Sequence, residues 1–292
     1  MSAGANTKNM RLWPVIYPIL LYFATSQILD VMQQMLPFTA GFDAVMRQGV
    51  DTLGGLAALY LSFLKGGRRD KGCLPVRAFD AARVLPGAFD GVHRSDTTGQ
   101  TASGCLLSAL MLGLGSFALN NLFAMTELLQ RSEGYRFVER SFYSSGLFWE
   151  IAVLCILTPV TEELLYRGIV FSRLRDWLGR WGAIVSSALL FGIMHMNVVQ
   201  TLYAFGLGLL LGILTERCGD VRVPMCGHIA ANLLSVLRGE LGLFAGLAKG
   251  SAAYWAVTLA AFAAAAGLAG FCIARFPERE PYAREPAGPS SD

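Results

Sequence analysis

Three short constellations in this chain carry residues able to do chemistry. The first is Thr161-Glu162-Glu163-Leu164-Leu165-Tyr166-Arg167. Residues four apart share a helix face, so Glu163 meets Arg167, with the carboxylate on the favourable N-terminal side. Adjacent residues point about 100° apart, which leaves Glu162 aimed elsewhere without a local partner. Pro159, just upstream, lacks a backbone N–H; it frees a carbonyl one turn earlier and is able to kink the helix. The second constellation is Phe191-Gly192-Ile193-Met194-His195. The third is His228-Ile229-Ala230-Ala231-Asn232, whose polar ends again share one face.

Singly, each has a plain structural reading: carboxylates snorkelling at the headgroup level, a hydrogen-bonded core histidine, a polar pair that joins helices. Together they say more. Glu162, His195, His228 and Asn232 lie in three different apolar stretches, and none is satisfied in lipid. Convergence on one interior cavity is the economical arrangement. A carboxylate beside an imidazole can hold and deprotonate water. An imidazole N–H and a carboxamide N–H on one face can steady the negative oxygen of a tetrahedral intermediate. The apolar stretches show no Ser with a matching base and no Cys–His pair. Water-mediated amide hydrolysis therefore fits better than an acyl-enzyme route.

The elements that must position these residues follow from composition. Of 292 residues, 54% are hydrophobic and 15% charged, and the mean hydropathy is +0.47. An average soluble domain has about 25% charged residues. Disordered, collagen-like and small disulfide-scaffold classes are excluded. The expected fold is all-α: a polytopic membrane bundle of about eight helices around a polar intramembrane cavity. Apolar stretches between charges place the spans near Leu12–Leu36, Gln48–Leu64, Ala102–Met125 and Ser145–Phe171. The tract Trp181–Thr215 is too long for one span and divides near Met196–Gln200. The last two spans fall near Val221–Leu237 and Gly250–Ala274. The first reads as a retained span, because no small-x-small cleavage site precedes its end. Gly208-xxx-Gly212 in the sixth span would permit close helix packing.

With the N-terminus inside, 18 of the 24 Lys and Arg fall on the cytoplasmic side. That bias supports eight spans with both termini cytoplasmic. One membrane domain is expected over residues 1–275, with its motif-bearing core at about 150–237. The loop 65–99 reads as cytoplasmic, either solvated or lying on anionic headgroups. The Pro-rich tail 276–292 reads as disordered. The net charge of +3 carries no nucleic-acid footprint. The six cysteines show no metal-binding spacing and read as small buried residues.

Glu-Glu-x-x-x-Arg, then Phe-x-x-x-His, then His-x-x-x-Asn, in that order on three membrane helices, resembles the CPBP family. These are the type II CAAX prenyl endopeptidases and bacteriocin-processing intramembrane proteases. The resemblance covers roughly Glu150–Leu237. It implies a helical bundle with a polar cavity within the membrane. It assigns Glu162 as the base, working with His195 on the attacking water, and His228 and Asn232 as the oxyanion site. Glu163, Arg167 and Phe191 become supporting residues. Glu162, His195 and His228 are also a set that suits zinc with one open position. The same residues suit a metal-free glutamate mechanism, and the sequence leaves both open.

One geometric demand stands out. Glu162 lies about nine residues above the inner end of its span, whereas His195 lies about 14 above Trp181, a depth difference of several ångströms. They meet only if the fifth helix tilts or begins outside the hydrocarbon core. The expected function is an intramembrane endopeptidase acting on a CAAX-like or small secreted peptide, in contact with the lipid bilayer. The alternatives are a non-catalytic membrane binding or self-immunity protein, and a transporter or proton relay.

Overall fold

The computed structural model describes residues 12–39, 41–64, 97–126, 132–142 and 145–275. The charged loop 65–99, apart from its last three residues, and the tail 276–292 lie outside the described residues, as do His93 and Cys73. Among the described residues the regular structure is helical, with no strand. The helices are α1 (Trp13–Met35), α2 (Ala44–Leu59, continued by a π-helical turn at Tyr60–Leu64), α3 (Thr97–Ala124) and α4 (Glu133–Phe142). Then come α5 (147–171), α6 (Ser172–Ile193), α7 (Val198–Cys218), α8 (Arg222–Leu241) and α9 (Ala252–Arg275).

Four of these, Trp13–Met35, Thr101–Ala124, Val198–Cys218 and Ala252–Arg275, are long and apolar enough to cross a membrane. They carry the first, third, sixth and eighth expected spans. The other four expected spans coincide with α2, α5, α6 and α8, which are shorter or carry charge. Helix α4 lies between the third and fourth expected spans. The Ser132 hydroxyl accepts from the Tyr135 N–H at 3.2 Å and caps its start.

Helix α8 packs most extensively on α3, α6 on α7, α9 on α3 and α1 on α2. Small residues set these approaches. A Cβ on Gly227 would stand 2.2 Å from Leu112 Cδ1 and 3.1 Å from the Ser108 carbonyl, so α8 and α3 touch at a position only glycine allows. Polar side chains then link the helices. Ser116 Oγ and Tyr203 Oη lie 2.6 Å apart, joining α3 to α7, and Asn120 Nδ2 donates to Ser235 Oγ at 3.1 Å, joining α3 to α8. At one end of the bundle Arg175 grips Glu216 through two nitrogens at 2.8 Å each, fixing α6 to α7. The outer faces of α1, α3 and α9 expose large apolar side chains such as Ile28, Leu106 and Leu259. That is the surface a bilayer covers.

Two local features shape the centre. Helix α5 is not a plain α-helix: its Glu150–Leu157 and Leu164–Phe171 stretches are π-helical, on either side of an α-helical piece at Thr158–Glu163. Helix α6 is broken at Gly179, whose φ of 70° is in the region glycine adopts without strain.

Candidate active site

Helix α5 contributes the first group of side chains. Arg167 Nη1 donates to Glu163 Oε1 at 2.8 Å, with both side chains fully buried. This is the four-residue pairing that the spacing predicts. Arg167 has two further partners. Its Nη2 donates to the Gly208 carbonyl of α7 at 3.3 Å, and its guanidinium lies 4.7 Å from the Phe191 ring centroid. A buried guanidinium needs such contacts, since its donors have no water to turn to. Gly208 makes room for it: a Cβ there would fall 3.1 Å from Ala188 of α6 and 3.3 Å from Arg167 Nη2. Gly212 packs likewise on Ile184, so the glycine pair brings α7 against α6 as the sequence spacing suggests.

Glu163 does more than balance Arg167. Its Oε1 also lies 2.9 Å from His228 Nδ1, across helices α5 and α8. A carboxylate only accepts, so Nδ1 carries the proton and Nε2 is the imidazole's free nitrogen. That nitrogen faces Glu162, 3.8 Å from Oε2. The gap exceeds a direct hydrogen bond, and such a separation is where a bridging water belongs. The Glu162 side chain remains 18% exposed, whereas Glu163 is sealed. The two adjacent carboxylates therefore occupy different environments: one orients the histidine, the other has access to solvent. The bridge from Glu163 to His228 lies between residues 65 apart and leaves no trace in local spacing.

His195 sits just beyond the end of α6, in the turn before α7. Its Nδ1 lies 3.0 Å from the Phe191 carbonyl, which fixes Nδ1 as the donor and leaves Nε2 as an acceptor. Phe191 is fully buried and links the two histidines. Its ring stands edge-on to His195 at 5.0 Å and to His228 at 5.6 Å, with Tyr166 at 5.2 Å. Tyr22 of α1, not singled out by the sequence, packs against this same cluster and sits over Gly55 of α2.

Asn232 makes an unanticipated contact. Its Nδ2 donates to the Leu154 carbonyl at 2.9 Å. In the π-helical pattern each N–H bonds five residues back, as Thr158 does to Val153. The next in register is Pro159 to Leu154, and proline has no N–H. The carbonyl that Pro159 frees is therefore the one Asn232 takes, and α5 continues through the proline without stopping. One amide N–H of Asn232 is engaged there and the second is available.

Zinc held in a tetrahedral site needs several donors about 2.0–2.3 Å from one point. Among the described residues no three His, Cys, Asp or Glu side chains come together in that way. Glu162 and His228 supply two donors, and the ligand set is not assembled.

Residues 144–234 match the family model described as "Type II CAAX prenyl endopeptidase Rce1-like". The "Putative membrane peptidase YdiL" of Bacillus subtilis is 29% identical over 87 residues, covering 30% of this chain and 36% of that protein. An "Uncharacterized 24.3 kDa protein" of Escherichia coli is 32% identical over 95 residues, covering 30% of this chain and 43% of that protein. The chain thus spans less than half the length of these curated relatives. No solved structure matches it. The matched segment contains all three motifs, so residues 144 to 234 of this chain are similar to the Rce1-like type II CAAX prenyl endopeptidases.

Proposed function

We propose that this chain is an intramembrane endopeptidase that hydrolyses a peptide bond with a water activated by Glu162. The observation that carries the reading is the linked series Arg167–Glu163–His228–Glu162. Glu163 holds one nitrogen of His228 at 2.9 Å, and the other faces the partly exposed Glu162 at 3.8 Å. Peptide hydrolysis needs a base for the water, donors for the oxyanion and an acid for the leaving amine. Glu162 takes the water's proton, and His195 Nε2 offers that water a second acceptor. The proton passes to His228 Nε2, while Nδ1 stays bonded to Glu163. That new N–H and the second amide N–H of Asn232 then face the oxyanion. The leaving nitrogen receives the proton as the intermediate collapses. Every step uses groups of the chain itself. The substrate is a membrane-associated peptide, and the family match favours a CAAX-like C-terminal segment.

The test is cleavage of quenched fluorescent peptides, CAAX-type and unrelated, by full-length protein in detergent. Glu162→Gln and His195→Ala run beside wild type, with folding checked by thermal unfolding. Loss of a general base lowers the rate by about 10²–10⁴. Glu162→Gln cleaving at the wild-type rate removes the proposal, and so does a folded wild type that acts on none of the peptides.

A further inference from the structure

At the end of the bundle where α3 and α8 finish and α9 begins, a cavity of about 240 Å³ opens outside the site described above. Its walls include Arg238, Lys249, Asn121, Tyr254, Leu243 and Phe244. Two buried polar atoms in these walls have no partner: Arg238 Nη1, a donor, and Asn121 Oδ1, an acceptor. Buried polar groups are rarely left unmatched, and each unmatched group calls for an explanation. Neither atom is free to turn away. The Arg238 guanidinium lies over the Phe117 ring at 5.4 Å. Asn121 is held through Nδ2 to Thr258 at 2.7 Å, and its own carbonyl accepts from Tyr254 Oη at 2.7 Å.

The loop over the cavity is also unusual. Phe244 adopts a φ of 68°, rare for a side chain of this size, and its ring packs 4.8 Å from Phe117. Strained residues of this kind gather at ligand clamps. Glu240, two residues beyond Arg238, does not line the space, so the cavity is cationic. Its level in the membrane follows from α9, whose apolar run starts at Ala252, three residues after Lys249. Trp255 lies one residue past Tyr254, with ring centroids 6.0 Å apart, in the manner of an interfacial aromatic belt. The cavity therefore opens at headgroup height. Exposed Leu259 and Phe262 run from it along α9 into the apolar layer.

The two orphan atoms specify complementary chemistry. Arg238 and Lys249 call for an anionic oxygen, and Asn121 Oδ1 calls for a hydroxyl donor. The volume is below the 300–1,000 Å³ of whole-ligand pockets, which suits a headgroup whose tails lie outside. We propose that this cavity binds the headgroup of an anionic phospholipid with a free hydroxyl, of the phosphatidylglycerol type: phosphate on Arg238 and Lys249, hydroxyl on Asn121, acyl chains along α9.

The test uses full-length protein in detergent and phosphatidylglycerol with a fluorescent tail. Competitors are unlabelled phosphatidylglycerol, phosphatidylcholine, glycerol phosphate and inorganic phosphate. Unlabelled phosphatidylglycerol displaces the probe, and the other three do not at the same concentration. A cation near the surface contributes about 1 kcal/mol, so Arg238→Gln weakens binding about fivefold. Lys249→Gln, at an exposed loop position that leaves folding intact, has a similar effect. Equal binding by the wild type and both variants overturns the proposal, as does equal displacement by phosphatidylcholine. Displacement by glycerol phosphate or inorganic phosphate at lipid-like concentrations overturns the lipid assignment in favour of a soluble phosphate.

Discussion

Pro159 and Asn232 are coupled through an atom that belongs to neither, the carbonyl oxygen of Leu154. Asn232→Ala leaves that oxygen inside α5 with no donor, because Pro159 supplies none. An orphaned buried acceptor costs about 1–3 kcal/mol, and interhelical bonds in membranes average about 0.6 with a ceiling near 1.7. A destabilisation of about 1–2 kcal/mol is expected for the single change. Pro159→Ala restores an N–H five residues from Leu154 and lets the helix satisfy its own carbonyl. In that background Asn232→Ala has little left to orphan, and its effect falls to a few tenths of a kcal/mol. A coupling energy of about 1 kcal/mol results, well above the ~0.3–0.5 kcal/mol to which independent sites add. The assay is reversible unfolding of the four proteins in mixed micelles, followed by tryptophan fluorescence. Additive effects within that margin refute the reasoning, since they mean that the Leu154 carbonyl does not respond to a donor at position 159.

The buried Glu163–Arg167 pair gives a second cycle: Arg167→Met leaves a buried carboxylate with the His228 N–H but no cation and costs about 3–5 kcal/mol, whereas Glu163→Gln with Arg167→Met costs less than Arg167→Met alone, as measured by the same unfolding assay. Gly208→Ala places a Cβ 3.1 Å from the Ala188 backbone and side chain, neither of which can give way, and is expected to lower stability by about 1–3 kcal/mol. Asp220 lies between α7 and α8; burial alone would raise its carboxyl, but hydrogen bonds from Arg222 and Thr101 hold it below the usual carboxylate range. A lowered native value means that this contribution to stability is complete above the unfolded value of about 3.9 and is lost as pH falls through the native one, so Asp220→Asn flattens the acid limb of a stability–pH curve. Chelators are expected to leave the cleavage rate unchanged; loss of activity restored by zinc would make Glu162 and His228 metal ligands instead.

What the sequence disclosed was local. The Glu163–Arg167 pairing, the close approach at Gly208 and Gly212, and the carbonyl freed by Pro159 all follow from spacing along one helix, and each has its counterpart in the structure. What it withheld was tertiary. Glu163 reads as the partner of Arg167 alone, yet one of its oxygens serves both Arg167 and His228. His228 and Asn232 share a face as expected, but that face meets α5, and each finds there an acceptor that only packing supplies. Helix α4 is short, and its four charged residues equal its four apolar ones, so it does not stand out as an apolar stretch. The π-helical stretches of α5 have no sequence signature comparable to the α-helical period.

The position of His195 shows how such a break can serve chemistry. The piece of α6 after Gly179 runs from 180 to 193, and 14 residues at about 1.5 Å each reach only about 21 Å. A hydrocarbon layer is about 30 Å thick, so this piece alone is shorter than the layer it would have to cross. The backbone of a turn cannot face lipid; it must be buried in protein or line a polar cavity. Asn197 meets part of that demand by accepting from the Gln200 N–H at 2.9 Å, and the Phe191 carbonyl near the helix end is taken by His195. Phe191, edge-on to both His195 and His228, links this turn to α8, whose His228 is held by Glu163 of α5.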